Sequence, residues 1–419
     1  MTPSARLQAA IETLDQIIGG APAEKALTAW ARGSRFAGSG DRAAVRDHVF
    51  DVLRMWRSCA AHGGIAADAA PVQMPGVAET EMRSITTTET PPGGTLSGRA
   101  LILGLLRQSG DDVDALFNGQ GHGPATLTMA ERGVLAQAPD IAPLVALDCP
   151  DWLAPTLRAD LGEDFSPVME ALRSRAPVFI RVNTARAAAA DVRAELAQQG
   201  ITAQPHPLSP TALHVTDGAR RLRASAALAD GRIEMQDAAS QAVVDMIEGL
   251  QGARVLDFCA GGGGKALALA AKGAQVFAHD ANPARMADLP ARAARAGVSV
   301  PVLSTADLPQ AGPFDVIVAD VPCSGSGSWR RAPTAKWALT PERLAELVEI
   351  QAGILDQIAA LAGPKTRLVY ITCTLLACEN ADQIAAFLAR NPGWRPGATR
   401  RLTPCDGGDG FFTAQVHRA

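Results

Sequence analysis

The chain has 419 residues, 47% of them apolar and 20% charged, with a formal net charge of −4. That length suits two or three domains and the apolar fraction suffices for packed cores. The balance excludes a protein that holds nucleic acid by overall positive charge, so any such contact must come from local basic patches.

The seven cysteines (Cys59, Cys149, Cys259, Cys323, Cys373, Cys378 and Cys405) are scattered and form no CxxC pair, which disfavours a zinc site or a disulfide framework. The N-terminus lacks a charged-then-apolar signal pattern, and no apolar run approaches the roughly 20 residues of a membrane span. The expectation is a cytoplasmic protein with reduced thiols, no metal and no membrane contact.

From the N-terminus, Leu7, Ala10, Ile11, Leu14, Ile17 and Ile18 recur at helical spacing over Ala5–Ile18, and Gly19-Gly20 ends the helix. A second helix is expected over Asp41–Ala61. Val45, Val49, Val52, Leu53 and Trp56 share one face, and Arg42, Arg46, Arg54 and Arg57 lie elsewhere on it. Residues 66–98 contain Pro71, Pro75, Thr86-Thr87-Thr88 and Pro91-Pro92-Gly93-Gly94, and read as a long loop. Helical patterning resumes over Arg99–Gln108 and runs to about Ala138. Residues 1–140 are thus expected to form an all-α domain.

Residues 145–240 read as an α+β block. Its strands are Val178–Val182 and Ala212–Val215, its helix is Ala185–Gln199, and Arg220-Arg221-Leu222-Arg223 forms a basic run. From residue 241 to 419, strands alternate with helices, the pattern of a parallel sheet in an α/β domain. The expected strands are Arg254–Phe258, Gln275–His279, Ser299–Leu303, Phe314–Ala319 and Arg367–Thr372, with Gly410–Val416 as a final one. The helices are Gly264–Ala271, Pro283–Ala296, Pro341–Leu361 and Glu379–Arg390.

One of these junctions is a strand that runs into Cys259-Ala260-Gly261-Gly262-Gly263-Gly264-Lys265 and then a helix. Glycines let the backbone approach a ligand closely, and the helix start offers free N–H groups. In open α/β sheets ligands bind beyond the carboxyl ends of the strands. The junction is therefore a nucleotide-type site. A P-loop would need Gly at Cys259 and Ser or Thr at Ala266; a dinucleotide loop would need its third Gly at Ala266 or Leu267. Neither fits. Asp280, ending the next strand, is placed for ribose hydroxyls.

Two cysteines end later strands of the same set, in Asp320-Val321-Pro322-Cys323-Ser324-Gly325 and Thr372-Cys373-Thr374. A lone cysteine is usually a small buried hydrophobe. Two at equivalent strand ends beside a ligand loop suit covalent catalysis. Arg330, Arg331 and Lys336 follow closely and could supply the positive charge that favours a thiolate. Which cysteine attacks is left open by these residues.

At these motifs the sequence resembles the Sun-type (Fmu) RNA cytosine-C5 methyltransferases, and within them the enzymes of bacterial small-subunit (16S) rRNA. The likeness includes Ile180-Arg181-Val182-Asn183 and Glu234-Met235-Gln236-Asp237-Ala238-Ala239-Ser240-Gln241. It continues through the glycine loop, both cysteine motifs, Arg331 to Trp337, Glu379-Asn380 and Asp409-Gly410-Phe411-Phe412. The stretch around Asp41-Arg42-Ala43-Ala44-Val45-Arg46 resembles the helical NusB-like domain of the same proteins.

The resemblance implies three parts: a NusB-like RNA-binding domain at 1–140, a connector at 145–240 and a Rossmann-like S-adenosylmethionine-dependent methyltransferase domain at 241–419. It implies Cys373 as nucleophile and Cys323 as the thiol assisting product release, the reverse of DNA cytosine methyltransferases, where the Pro-Cys cysteine attacks. Cys259 to Lys265 would hold the cofactor, with Asp280 on the ribose, Asp307 on the adenine and Asp320 near the methionine end or the target base. Gly262 stands where the family usually has Pro, which implies a less rigid loop. The expected partner is RNA, foremost 16S rRNA, and the expected state is a monomer. Arg42, Arg46, Arg54 and Arg57 are candidate phosphate contacts. Rival readings are a tRNA enzyme of the same chemistry and an inactive RNA-binding assembly factor. The Asn/Asp-Pro-Pro-aromatic motif of amino-group methylation is missing at Asp320-Val321-Pro322-Cys323.

Overall fold

The computed structural model describes residues 1–65 and 95–418. Residues 66–94 of the expected loop lie outside the described residues. The chain divides into two compact units: Met1–Arg175 with Trp329–Thr340, and Ala176–Ser328 with Pro341–Ala419.

The first unit is helical. Helix α1 (Pro3–Ile18) starts at Thr2, whose hydroxyl accepts from the Ala5 N–H, and it buries Leu7, Ala10, Ile11, Leu14 and Ile17. Helix α2 (Ala23–Gly33) follows. The helix expected over Asp41–Ala61 is two: α3 (Ser39–Arg54) and α4 (Trp56–His62), broken at Met55. The break has a visible cause in the carbonyls freed there. Trp337 Nε1 donates to the Leu53 carbonyl at 2.7 Å, and Lys336 Nζ to the Arg54 carbonyl at 3.0 Å. Trp337 is fully buried within the core of this unit. These side chains occupy acceptors that a continuing helix would use itself.

Helix α5 (Gly98–Ser109) begins at Ser97, which caps Ala100, and ends at Gly110 in the left-handed conformation. It lies close against α4: a Cβ on Gly104 would stand 1.8 Å from the Cys59 carbonyl oxygen. Among the described residues no helix is long and apolar enough to cross a membrane.

The second unit holds two sheets. Strands β1 (Val178–Val182), β2 (Thr202–His206), β3 (Ser209–Asp217) and β4 (Ile233–Met235) form an antiparallel sheet in the order β2-β3-β1-β4. Ile180, Val182, Leu213 and Val215 share a core with Val192 and Leu196 of the helix Ala189–Gln198. Strands β2 and β4 were not expected from the sequence. The Thr202–His206 strand alternates poorly and contains Pro205, and the other is three residues long.

The larger sheet comprises β5 (Arg254–Asp257), β6 (Gln275–Ala278), β7 (Val316–Asp320), β8 (Arg367–Thr372), β9 (Trp394–Leu402) and β10 (Phe411–Arg418), in the order β6-β5-β7-β8-β10-β9. The first four run parallel, and β10 pairs antiparallel with both β8 and β9, so the sheet is mixed. This is a Rossmann-like α/β core. The strand expected over Ser299–Leu303 is reduced to a single parallel bridge from Val302 to Ala278. Pro301 has no N–H to give the ladder, although its carbonyl accepts from Ala278. The expected helix Pro283–Ala296 is a 3₁₀ turn (Pro283–Met286) followed by the helix Leu289–Ala296.

The close approach of α4 and α5 gives a stability test. Gly104→Ala should lower the melting temperature through overpacking worth about 1–3 kcal/mol. Gly33→Ala, with nothing within 4 Å of the added Cβ, should leave it unchanged or slightly raised. Thermal denaturation of the two variants in parallel checks this.

Candidate active site

The carboxyl ends of β5, β6, β7 and β8 bring four motifs of the sequence together in the second unit. After β5, the chain passes Cys259 and Ala260 into the glycine run and then the helix Gly264–Ala271. Gly261 and Gly263 have φ of +50° and +80°, and a Cβ on Gly263 would lie 2.2 Å from Leu289 Cδ1. These two positions therefore require glycine. The loop is tied to the next strand: the Ala260 N–H donates to the His279 carbonyl and the Gly261 N–H to Asp280 Oδ2, each at 2.9 Å. Buried Asp280 also accepts from the Asn282 N–H and from Arg285 Nη1 at 3.0 Å. Asp307 is exposed, and its carboxylate accepts from the Ser304 backbone and hydroxyl.

Beneath the loop lies a compact group of charges. Lys265 Nζ is 2.6 Å from Asp320 Oδ2. Burial works against the lysine's charge, yet Asp320 outweighs it and holds the ammonium above its ordinary range. Asp257, the last residue of β5, is fully buried, and neither of its oxygens meets a side-chain donor. Burial first, and then the neighbouring Asp320, push its carboxyl up to about 7. Cys259 is pushed up in the same way, by burial and then by Asp257.

The two strand-end cysteines meet. Cys323 Sγ and Cys373 Sγ are 3.4 Å apart, both free and half-buried. Their surroundings are unequal. Cys373 is held below the ordinary thiol range by the hydrogen bond from Cys323, against burial and Asp320, with Lys265 and Ser328 adding to the depression. Cys323 is pushed well up by its role as donor, by burial and by Glu379. The contact suits one thiolate backed by one thiol, and the neighbouring charges favour Cys373 as the ionised partner. The cation that favours it is Lys265.

The three basic residues after the first cysteine belong to the helical unit. Lys336 and Arg330 are buried within the helical unit, where Lys336 donates to the Arg54 carbonyl and the Arg330 carbonyl accepts from Arg54 Nε. Arg331 is exposed.

Glu379, fully buried, joins the two cysteine loops. It accepts from the Ser324 N–H at 2.8 Å, the Ser324 hydroxyl at 2.5 Å, the Thr374 hydroxyl at 2.7 Å and Gln351 Nε2 at 2.9 Å. Gln351 also holds the Pro322 carbonyl, and Ser326 Oγ bonds Thr374 and takes the Leu375 N–H. Ser324 and Thr374, the residues that follow the two cysteines, are thereby fixed to one acceptor. The backbone adds a second tie, from the Gly327 N–H to the Cys373 carbonyl at 3.0 Å and from the Gly410 N–H to the Gly327 carbonyl at 2.8 Å.

Comparison with known proteins follows the same residues. Positions 245–416 match the family model described as 16S rRNA methyltransferase RsmB/F, and 149–220 match an RsmF/B-like ferredoxin-like domain. A curated protein of Klebsiella pneumoniae named ribosomal RNA small subunit methyltransferase B is 34% identical over 282 residues, covering 64% of this chain and 65% of that one. Its namesake in Serratia proteamaculans is 32% identical over 288 residues, covering 64% and 66%. The chain belongs to the Sun/Fmu-type RsmB/F methyltransferase family. It spans about two thirds, at 65%, of the length of the first of these relatives.

Solved structures agree in fold. The crystal structure of PH0851 superposes with a TM-score of 0.73 at 20% identity, covering 100% of this chain and 99% of that one. A methyltransferase homologue from Pyrococcus horikoshii gives 0.58 at 22% identity, covering 67% and 100%.

Within this RsmB/F pattern, sequence reasoning singled out Cys373, Cys323, Asp320 and Asp280, and the fold brings them to one sheet edge. It assigned no role to Asp257, although the acid ends the very strand that precedes the glycines. It quoted Glu379 only as part of a motif, because nothing in the chain order shows that residues 324, 351, 374 and 379 converge.

The Glu379 junction predicts a large effect from a small change. Glu379→Ala strands several buried donors, each costing about 1–3 kcal/mol. The melting temperature should fall by several degrees, and Cys373 should alkylate more slowly because its partner thiol is no longer held in place. A melting temperature and alkylation rate equal to wild type would contradict the role of Glu379.

Proposed function

We propose that this chain methylates C5 of a cytosine in RNA, foremost 16S rRNA, with S-adenosylmethionine as the methyl donor. The observation that carries the reading is the pair of sulfurs 3.4 Å apart with unequal ionisation, beside a glycine cradle. The substrate class rests on the family and on the printed names of the rRNA methyltransferase relatives.

The cradle suits the cofactor. Gly261 and Gly263 keep the backbone bare where side chains would intrude, and buried Asp280 offers a carboxylate at the end of the second strand. In this reading Cys259, Ala260, Gly261, Gly262, Gly263, Gly264 and Lys265 enclose it, with Asp280 toward the ribose, Asp307 toward the adenine and Asp320 toward the methionine end. Bound there, S-adenosylmethionine supplies an electrophilic methyl group.

The chain's own residues supply the rest. The Cys373 thiolate adds to C6 of the cytosine, which moves electron density to C5 and makes that carbon nucleophilic. Lys265, held in place by Asp320, steadies the thiolate before attack. After C5 is alkylated, a base takes its proton, the electron pair re-forms the C5–C6 double bond and Cys373 leaves as thiolate, and Cys323, the neighbouring proton donor, stabilises that leaving sulfur. The base must be unstacked to reach the thiol, which favours a loop or single-stranded region. The remaining parts of the reading are a NusB-like RNA-binding domain at 1–140, a connector at 145–240 and a catalytic domain at 241–419.

RNA containing 5-fluorocytosine tests the chemistry, because fluorine at C5 blocks the final elimination. Wild type should form a protein–RNA adduct stable to denaturing electrophoresis; Cys373→Ala should form none. Cys323→Ala should accumulate adduct even on ordinary RNA. An adduct that survives Cys373→Ala and disappears in Cys323→Ala would reverse the roles.

A further inference from the structure

Two of the arginines read from the sequence as phosphate contacts, Arg54 and Arg57, are buried in the helical unit and hold the fold. Arg57 is bidentate to Asp151 at 2.8 and 2.7 Å, and the Arg54 guanidinium lies on Asp51 and the Arg330 carbonyl. In the second unit another arginine, Arg292, reaches the glycine cradle itself.

Helix Leu289–Ala296 carries Arg292 and Arg295 one turn apart on one face. Both meet the carboxylate of Glu234, Arg292 Nη2 at 2.9 Å on one oxygen and Arg295 Nη2 at 2.8 Å on the other. Glu234 belongs to β4 and is buried. Burial works against its charge, yet the two guanidiniums outweigh it and hold the carboxyl below its ordinary range. The other fork nitrogen of Arg292, Nη1, donates to the Gly262 carbonyl. One side chain thus joins a fixed anion to the middle of the cradle. Gln236, just past β4, makes a second tie. Arg181 Nε donates to its Oε1 at 2.6 Å, which turns its Nε2 toward the Gly264 carbonyl at 3.4 Å and Ser240 Oγ at 3.3 Å.

Gly262 needs such a hold. It stands where the resembled family usually has proline, and a glycine restrains its own backbone least. A Cβ on Gly262 would come within 3.2 Å of Arg292 Nη1, so the arginine occupies room that a side chain there would take. Sequence reading gave Arg292 no role, because it lies 30 residues from the loop that it touches.

We infer that Arg292, anchored on Glu234, is a positioning residue for the cofactor: it fixes the Gly262 carbonyl and holds the cradle in its binding shape before S-adenosylmethionine arrives. The inference rests on the cofactor reading above. A loop that is already ordered loses less freedom on binding, so cutting this tie lowers affinity without removing a contact to the ligand. A guanidinium suits the task because its planar fork serves two acceptors at once, where an ammonium offers a single nitrogen.

The test uses the full chain, with S-adenosylhomocysteine binding read by calorimetry and amide hydrogen exchange read on the ligand-free protein. Arg292→Ala should bind about tenfold more weakly, the loss of one hydrogen bond from a charged donor. Its peptides spanning 260–264 should exchange faster than in wild type. Arg292→Lys keeps the charge and should regain only part of the affinity, staying roughly threefold below wild type. Arg390→Ala, which cuts a surface pair with Asp356 in the same unit, should match wild type in both readouts. In methyl transfer to 16S rRNA, Arg292→Ala should raise the cofactor KM by a similar factor and leave kcat near wild type, a split that general destabilisation does not produce.

Arg292→Ala with wild-type affinity and wild-type exchange would overturn this inference alone. Arg292→Lys with wild-type affinity would show that charge suffices and would likewise overturn the positioning role. A wild type that binds no S-adenosylhomocysteine would overturn the cofactor reading, and the inference with it.

Discussion

Two sulfur atoms 3.4 Å apart in a half-buried site cannot both carry a negative charge, and the rest of the catalytic unit is arranged around which one does. Lys265 reaches from the helix after β5 and biases the charge toward Cys373; Glu379 comes from the far side of β8 and biases it away from Cys323. Neither residue would act if the loops drifted apart by a few ångströms. The Glu379 hydrogen bonds and the backbone bonds of Gly327 with Cys373 and Gly410 hold them within that limit. A strand edge that brings β5, β7 and β8 side by side is what lets residues from positions 265, 323 and 373 share one charge.

The neighbouring carboxylates set the opposing pull. Asp320 disfavours ionisation of Cys373 but is neutralised by Lys265 at 2.6 Å, while Asp257 lies fully buried with its carboxyl raised to about 7. One ammonium thus faces three acidic groups, Asp320, Cys373 and Asp257, and its charge favours the ionised form of both the thiol and the deeper carboxyl. Replacing it would alter the ionisation of the whole group together, because the members are coupled.

Much of this arrangement was legible in the chain. Alternating strands and helices after residue 241 gave the α/β core, and the glycine run, Asp280, Cys323 and Cys373 all stand at strand ends where a ligand site belongs. What could not be read was set by distant residues meeting in space. The α3–α4 break depends on Trp337 and Lys336, far along the sequence from the helix they interrupt. Ser299–Leu303 has strand-like residues, but Pro301 withholds a donor and only one bridge forms. Lys265, which acts on Cys373 from more than one hundred residues earlier in the chain, could not be read as a thiolate partner from proximity in sequence. Arg54 and Arg57 show the same lesson: helical spacing fixed their face only up to the point where the helix broke.

The central claim is that Cys373 is the thiolate and Cys323 its proton donor. Alkylation by iodoacetamide as a function of pH, followed residue by residue by mass spectrometry, tests it most directly. Cys373 should react first, with an inflection below that of an ordinary thiol, and its inflection should move up in Cys323→Ala, where the donor is gone. Cys323 should stay unreactive in wild type until well above the ordinary thiol range. Faster alkylation of Cys323, or two cysteines titrating together at the value of a free thiol, would contradict the account.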